Sequence, residues 1–389
     1  MKGSLRSLEI EPFQVMDVLA RARAMEAAGT DVIHMEIGEP DFDTPAPIIE
    51  AGIAALQQGL TYYMPALGLP QLRTAISQYY QSHFAVKISS DRIVVTPGSS
   101  GALQLALAAL VNPGDEVLMA DPGYPCNRHF VRLFEGRPAL IAVDESTQYQ
   151  LTADLIDRHW TGKTKAVLLA SPSNPTGTCC SMPELKRIVE LVQRRGGVLI
   201  VDEIYQSLVY DMQPETVLFI SDDLIVINSF SKYFGMTGWR VGWMVVPESY
   251  VPVIDKLAQN FFLATSTPSQ YAALAAFNDD TLCELAKRRQ QLHQRRDYLI
   301  EALKELGFEV PVIPQGAFYI YARCLALTDD SQVLVDKLLE NAAVALTPGS
   351  DFGHYNPGHY VRFAYTTKLS RLREGVSRIK AYLERSRSV

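Results

Sequence analysis

Residues 197–232 read GVLIVDEIYQSLVYDMQPETVLFISDDLIVINSFSK and contain two short apolar runs that each end in polar residues. The runs GVLIV and LIVIN are rich in β-branched residues and show no alternation of apolar and polar positions. Strands of this kind are buried on both faces, as they are in a parallel sheet covered by helices. The stretch therefore predicts two interior strands of an α/β fold.

Similar apolar runs occur on both sides of this stretch, separated by longer segments with helical periodicity. Together they predict seven strands: IVVT from residue 93, EVLMA from 116, ALIAV from 139, AVLLA from 166, GVLIV from 197, LIVIN from 224 and VGWMVV from 241. Between two of them, Ser181-Met182-Pro183-Glu184 has the proline and the acid that favour a helix start. The alternation predicts a mostly parallel seven-stranded sheet flanked by helices.

The length of the chain and its two ends predict a second, smaller domain. The chain has 389 residues, whereas one hydrophobic core usually stops growing at roughly 250–300 residues. Residues 1–45 hold an amphipathic stretch and the turn-rich GEPDFDTPAP, and residues 284–389 alternate helical and strand-like segments. We expect residues 46–283 to form the large domain and both termini to build a small α+β domain, with residues 1–45 as its N-terminal arm.

Composition argues against several classes of protein. A net charge of -7 gives no basic excess for nucleic-acid binding. The longest nearly apolar run, Ala102 to Val111, is too short for a membrane span, and MKGSLRSLEIEPFQ lacks the apolar segment of an export signal. Five cysteines without a CxxC pair support neither a metal site nor a disulfide framework. We therefore expect a cytoplasmic protein with no membrane partner.

The segment after the first predicted strand, Pro97-Gly98-Ser99-Ser100-Gly101, opens an apolar helix. Small residues with free amides and hydroxyl groups at a helix N-terminus form an anion site. The segment favours a bound phosphate, although such turns are also common without one.

Polar side chains follow three later strands at the sheet edge where ligands of open α/β sheets bind. Asn174 follows AVLLA, Asp202 and Tyr205 follow GVLIV, and the segment 229–232 (SFSK) follows LIVIN, with Arg240 further along. Singly, these residues also fit a turn amide, a helix cap or a surface amine. Their convergence at one edge favours a shared site.

Together and in this order, the residues resemble the class I/II (fold-type I) aminotransferase family. The resemblance extends from GEPDFDTP near residue 38 to VRFAYTT near 361, and SFSKYFGMTGWRVG, from 229, is a highly specific string. It implies a pyridoxal 5'-phosphate enzyme that moves an amino group from an L-amino acid to a 2-oxo acid by a ping-pong mechanism. Residues 46–283 would be the cofactor-binding domain.

The resemblance also implies the role of each residue in the catalytic centre. Lys232 would be the Schiff-base lysine and would move the proton of the substrate α-carbon. Asp202 would keep the pyridine nitrogen of the cofactor protonated. Asn174 and Tyr205 would hydrogen-bond the ring oxygen.

The remaining implied roles concern the phosphate and the second subunit. The phosphate would be held by Ser99, Ser100, Ser229 and Arg240. Tyr124 matches the aromatic residue that stacks on the cofactor, although it also fits a packed core position. Tyr62 matches the tyrosine that reaches the phosphate of the neighbouring subunit, which implies a homodimer with shared active sites.

For the substrate, the resemblance implies that Arg362 grips the α-carboxylate, with Asn174 beside it and with Gly38 allowing a close approach. The sequence has Ser100 and Tyr124 where aspartate-preferring relatives commonly have lysine and tryptophan, which disfavours a dicarboxylate-only enzyme. Arg128 could replace that lysine. Phe13 and Ile37 either form an apolar substrate wall or pack the arm against the core.

The sequence also allows two other functions. A β-lyase or related elimination enzyme can use the same scaffold and cofactor, because a fold does not fix the reaction. A non-catalytic ligand sensor is a remote alternative, since the implied catalytic set is intact.

Overall fold

The computed structural model describes residues 3–387. Its helices are α1 (Leu5–Glu9), α2 (Gln14–Ala27), α3 (Ala46–Gln57), α4 (Pro70–Phe84), α5 (Gly98–Leu110), α6 (Pro125–Leu133), α7 (Ala153–His159), α8 (Met182–Arg194), α9 (Val251–Phe261), α10 (Thr267–Leu274), α11 (Asp279–Glu305), α12 (Ser331–Ala342) and α13 (Leu369–Arg387). Its strands are β1 (Ile33–His34), β2 (Ile93–Thr96), β3 (Glu116–Asp121), β4 (Arg137–Ala142), β5 (Thr164–Ala170), β6 (Val198–Asp202), β7 (Ile225–Ser229), β8 (Gly242–Val245), β9 (Tyr319–Arg323), β10 (Val344–Ala345), β11 (Thr347–Pro348) and β12 (Tyr360–Ala364). None of these helices is long and apolar enough to cross a membrane.

The seven predicted strands form one sheet in the order β2-β8-β7-β6-β5-β3-β4. Neighbouring strands are parallel except at β8, which is antiparallel to both β2 and β7. The predicted mostly parallel sheet is therefore confirmed. The predicted helix start is also confirmed, because Ser181 caps α8 by accepting a hydrogen bond from the amide of Glu184.

Successive residues of the sheet belong to hydrophobic clusters on opposite faces. In β2, Val95 packs into one cluster and Val94 into the other, and Leu199 and Ile200 divide in the same way in β6. Each side chain is at most 2% exposed, and burial of such a side chain contributes about 1.5–3 kcal/mol. Burial on both faces explains why the sequence of each strand is apolar throughout.

The two ends of the chain share a third hydrophobic cluster. β1 pairs in parallel with β10, and β12 lies between β11 and β9 in an antiparallel sheet. Val18 of α2 and Leu303 of α11 lie in this cluster, whereas Leu285 of α11 lies in a cluster of the large sheet. The division at residues 283 and 284 stays a prediction, and α11 continues across it from one cluster to the other.

Candidate active site

A cavity of about 230 Å³ lies at the carboxyl ends of the central strands, where ligands of open α/β sheets bind. Ten of the twelve predicted site residues line it: Gly38, Ser99, Ser100, Tyr124, Asn174, Asp202, Tyr205, Lys232, Arg240 and Arg362. Gly38 and Arg362 come from the two ends of the chain, and the others lie at the ends of strands of the large sheet or in the segments next to them. The structure thus brings together residues that are distant in sequence.

Lys232 lies in the turn after β7, and its neighbours in the chain fix that turn. Phe230 and Phe234 are buried in the hydrophobic core, so the lysine between them is directed into the cavity. The Lys232 Nζ atom donates a hydrogen bond of 2.8 Å to the carbonyl oxygen of Gly38. Burial lowers the pKa of Lys232 to about 8. The amine is therefore easier to deprotonate than an ordinary lysine.

Asp202 supplies a buried carboxylate at the end of β6. Its Oδ1 atom accepts a hydrogen bond of 3.0 Å from the amide of Ile204. Burial raises the pKa of Asp202 to about 6, and the charge of Lys232 acts in the opposite direction. At neutral pH the group is mainly ionised, so the cavity offers a fixed negative charge to a cationic ligand group.

Arg362 is held rigidly in the wall of the cavity. Its Nη1 atom donates to Asn174 Oδ1 at 3.0 Å, and Nη2 donates to Thr347 Oγ1 at 3.2 Å. The guanidinium carbon lies 4.3 Å from the ring centre of Tyr319 and 4.8 Å from that of Phe352. Its buried Nε atom has no hydrogen-bond partner within residues 3–387. The guanidinium thus retains a donor without a partner in the described part of the chain.

An anion site lies where α5 begins. No side chain caps α5, so its first amides are free to bind a ligand. Arg240 donates hydrogen bonds to Thr237 O at 3.0 Å and Ser231 Oγ at 3.5 Å, and it forms no ion pair with the described part of the chain. A Cβ atom at Gly98 would lie 2.4 Å from Arg240 Nη2. Glycine therefore allows the guanidinium to lie against the helix start.

Two predicted residues do not line this cavity. Ser229 is buried behind Ser231, with its Oγ atom within hydrogen-bond distance of both Ser231 Oγ at 2.9 Å and Val241 O at 3.2 Å. Ser231, not Ser229, is on the cavity wall. Tyr62 lies outside the cavity with 81% of its surface exposed. Any direct contact of Ser229 with a ligand would require a different side-chain orientation.

The sequence left three residues as alternative contacts of the substrate side chain, and the structure separates them into two groups. Phe13 and Ile37 both line the cavity, and the ring centres of Phe13 and Tyr124 are 6.1 Å apart in an edge-to-face contact. Arg128 does not line it, because its Nη2 atom bonds to Glu11 Oε2 at 3.3 Å and more weakly to a backbone carbonyl at 3.5 Å. Arg128 therefore holds the arm instead of facing the substrate.

Sequence reasoning missed several polar residues of the wall, namely Glu39, Ser231, Thr237 and Tyr319. The hydroxyl of Tyr319 lies 3.0 Å from that of Tyr205, and a Cβ atom at Gly38 would lie 2.1 Å from it. Ser231 was visible beside Lys232 in the motif. Tyr319 gave no local signal, since the pairing of β9 with β12 sets its direction.

Comparison with known proteins identifies relatives along nearly the whole chain. The family model described as aminotransferase class I and II matches residues 30–379. A (5-formylfuran-3-yl)methyl phosphate transaminase of Methanocaldococcus jannaschii is 37% identical over 98% of this chain and 100% of its own. A valine–pyruvate aminotransferase of Mycobacterium tuberculosis is 35% identical over 96% and 97%. The crystal structure of an aminotransferase from Mycobacterium tuberculosis superposes with a TM-score of 0.95 at 34% identity, covering 99% of both chains.

Proposed function

Since the chain belongs to the class I and II aminotransferase family, which uses pyridoxal phosphate, we propose that it moves an amino group from an apolar L-amino acid to a 2-oxo acid with Lys232 as the reacting amine. The chain is a pyridoxal-phosphate-dependent aminotransferase by its family. The observation that carries the assignment of residues is the meeting of Lys232, Asp202 and Arg362 in one cavity.

The residues of the cavity fit three groups of pyridoxal phosphate, namely the phosphate, the ring nitrogen and the aldehyde. The free amides of α5 and the Arg240 guanidinium, which has no ion pair within residues 3–387, fit the phosphate. The buried Asp202 carboxylate fits a protonated ring nitrogen, and the Lys232 amine fits the aldehyde. We assign Ser99, Ser100 and Ser231 to the phosphate, with Ser229 behind Ser231.

When bound, the cofactor supplies a carbonyl that links to an amine and a ring that accepts the electrons of the Cα–H bond. Lys232 removes the proton from the substrate Cα, because a base with a pKa of about 8 is partly deprotonated near neutral pH. Asp202 holds a proton on the ring nitrogen. Burial raises the pKa of Tyr205 well above its usual value, so its hydroxyl stays protonated and donates to the ring oxygen.

The shape and chemistry of the cavity support a substrate with an apolar side chain. Arg362 takes the α-carboxylate through donors that include the unpartnered Nε atom. Phe13, Ile37 and Leu103 line the wall, and Arg128 is engaged by Glu11. The names of the relatives indicate different substrates, so the wall of the cavity is the support for an apolar substrate.

We also propose a homodimer in which Tyr62 reaches the phosphate of the other subunit. Tyr62 and Tyr63 are 81% and 84% exposed, which is unusual for neighbouring aromatic side chains. Ile53 and Leu56 on α3 are also exposed, at 49% and 58%. A second copy of the chain that covers this surface would bury these apolar groups.

A cytoplasmic location is a further proposal. All five cysteines are described, and each is a free thiol. Free thiols are typical of proteins in a reducing compartment. Fractionation of cells that produce the protein from its own gene would test the location.

The function is tested with the purified holoenzyme and a panel of amino acids in the absence of oxo acid. Donors with apolar side chains are expected to reduce the visible absorbance of the lysine-bound cofactor and to release one equivalent of 2-oxo acid without ammonia. Lys232→Ala should abolish both changes, whereas Lys256→Ala, which alters an exposed lysine of α9, should not. Ammonia in place of amino transfer would refute the proposal and support an elimination enzyme.

A further inference from the structure

A second cavity lies on the other side of Lys232. It also has a volume of about 230 Å³, and its wall includes Pro40, Asp43, Arg288 and Arg289. Lys232 is shared by both cavities, as are Glu39 and Thr237. Three side chains thus separate the substrate cavity from this space, which we call the outer cavity. It has room for several water molecules between polar partners.

Glu39 is the acidic residue common to both cavities. It follows Gly38, whose carbonyl oxygen accepts the hydrogen bond of Lys232 Nζ at 2.8 Å. The Glu39 side chain is exposed, and within residues 3–387 its carboxylate has no hydrogen bond or ion pair. No structural contact with the described residues therefore holds this carboxylate away from Lys232 or from the outer cavity.

The charges around Lys232 give Glu39 a specific effect on the amine. Burial lowers the pKa of Lys232, and Glu39 is the charge that opposes this effect most strongly, ahead of Asp202. Arg362 and Arg240 act in the same direction as burial. Of the two carboxylates that favour the ammonium form, only Glu39 also borders the outer cavity.

We propose that Glu39 and the outer cavity form a route by which Lys232 exchanges its proton with solvent. After Lys232 has taken the substrate proton, an N–H bond of its ammonium group breaks as a water molecule between the two side chains takes this proton, and the same water gives one of its protons to Glu39, where an O–H bond forms. Glu39 then gives this proton to water in the outer cavity, and the reverse steps return a solvent proton. In this route Glu39 acts through Lys232. The inference rests on the proposed role of Lys232.

The exchange is tested with an α-deuterated amino acid in ordinary water, during a single half-reaction of the holoenzyme. In the wild type, we expect Lys232 to lose part of the deuterium to solvent before it passes the rest to the cofactor. The quantity measured is the fraction of the deuterium that is retained in the pyridoxamine product. Glu39→Gln is expected to increase the retained fraction several-fold. Asp43→Asn is the matched control, because it removes the same charge from the outer cavity only.

A second measurement uses the apoenzyme and does not depend on amino transfer. The pH dependence of the reaction of Lys232 with trinitrobenzenesulfonate, located by peptide mapping, gives the titration midpoint of its amine. Glu39→Gln should shift the midpoint to lower pH, because a charge that stabilises the ammonium form is lost. Glu39→Asp should largely restore it, and Asp43→Asn should leave it near the wild-type value.

The two measurements separate the possible failures. If Glu39→Gln matches Asp43→Asn in either the retained deuterium or the midpoint, the route through Glu39 is wrong. If no donor loses its α-deuterium in any variant, the proposed function fails, and the midpoint alone decides whether Glu39 acts on Lys232. Melting curves establish that each variant is folded.

Discussion

Arg362 has its donors in fixed positions because two aromatic rings pack against its guanidinium and Asn174 accepts a hydrogen bond from Nη1. A lysine at this position keeps the charge but loses the planar set of donors. We predict that Arg362→Lys lowers kcat/KM for the amino acid by roughly 10- to 100-fold, since a hydrogen bond to a charged group contributes about 1.5–3 kcal/mol. The measurement is steady-state kinetics with a donor of the panel.

The control for this substitution is Arg323→Lys, since Arg323 forms ion pairs with Glu145 and Glu309 outside the cavity. That variant should keep the kinetics of the wild type. Cofactor absorbance should be unchanged in both variants. An unaltered kcat/KM in Arg362→Lys would mean that another group binds the carboxylate.

Lys232 should also determine the pH dependence of cofactor attachment. Only the neutral amine attacks an aldehyde, and burial lowers the pKa of Lys232 from 10.5 to about 8. The rate at which pyridoxal phosphate restores the absorbance of the apoenzyme should rise with pH and level off above about pH 8. Below that point, each pH unit should reduce the rate about tenfold. A rise that continues to pH 10 would indicate an amine in an ordinary aqueous environment.

At the scale of elements, sequence patterns predicted those strands and helix ends that depend on neighbouring residues. The seven strands and the start of α8 were predictable because burial and capping leave their pattern in adjacent residues. The pairing of β1 with β10 was not predictable in this way, since residues 33 and 344 are brought together by the tertiary fold. The same reason hid Tyr319, whose direction depends on the register between β9 and β12.

Local sequence was also insufficient to predict one feature of the site, at the end of β7. The motif SFSK identified the segment but not which serine faces the cavity. That choice depends on the turn, in which Ser231 N donates to Ser229 Oγ at 3.0 Å and Ser229 Oγ donates to Val241 O. Val241 lies twelve residues further along the chain, just before β8, so the sequence of the motif alone could not predict this contact.

The cap of α8 provides a test at this scale. Ser181→Ala removes the oxygen that accepts from the Glu184 amide, and loss of such a cap costs about 1 kcal/mol. We predict a lower melting temperature with unchanged kcat and KM, because α8 does not line the cavity. Ser386→Ala, in the last turn of α13, should change the stability by less than about 0.5 kcal/mol. Equal stability of the two variants would show that the cap does not contribute.

At the scale of the whole molecule, the site combines residues of the large sheet with residues from the two ends of the chain. Lys232 and Asp202 belong to the large sheet, whereas Arg362 lies on β12 and Gly38 follows β1. The arm joins these parts, because the amide of Gln14 donates to Asp351 Oδ1 at 2.9 Å and Arg128 of α6 forms an ion pair with Glu11 at 3.3 Å. If Arg362 binds the substrate as proposed, substrate binding would couple the part of the structure that holds β12 to the sheet that carries Lys232.

In the proposed homodimer, each site also needs Tyr62 of the other subunit. Co-expression of two defective chains can test this requirement. One chain carries Lys232→Ala and the other Tyr62→Phe. In a mixed dimer, the Lys232 of the second chain meets the intact Tyr62 of the first, so one of the two sites is complete. Random pairing makes half of the dimers mixed, so about a quarter of the wild-type activity should come from complete sites.

The control pairs Lys232→Ala with Asp202→Asn. Both residues line the same cavity of one chain, so no mixed dimer of these variants contains a complete site and no activity should be recovered. Recovery in the first pair alone requires that Tyr62 serve the other subunit. If the first pair shows no gain over Tyr62→Phe chains alone, or if the protein sediments as a monomer, the shared site is wrong, and the exposed surface around Tyr62 has another role.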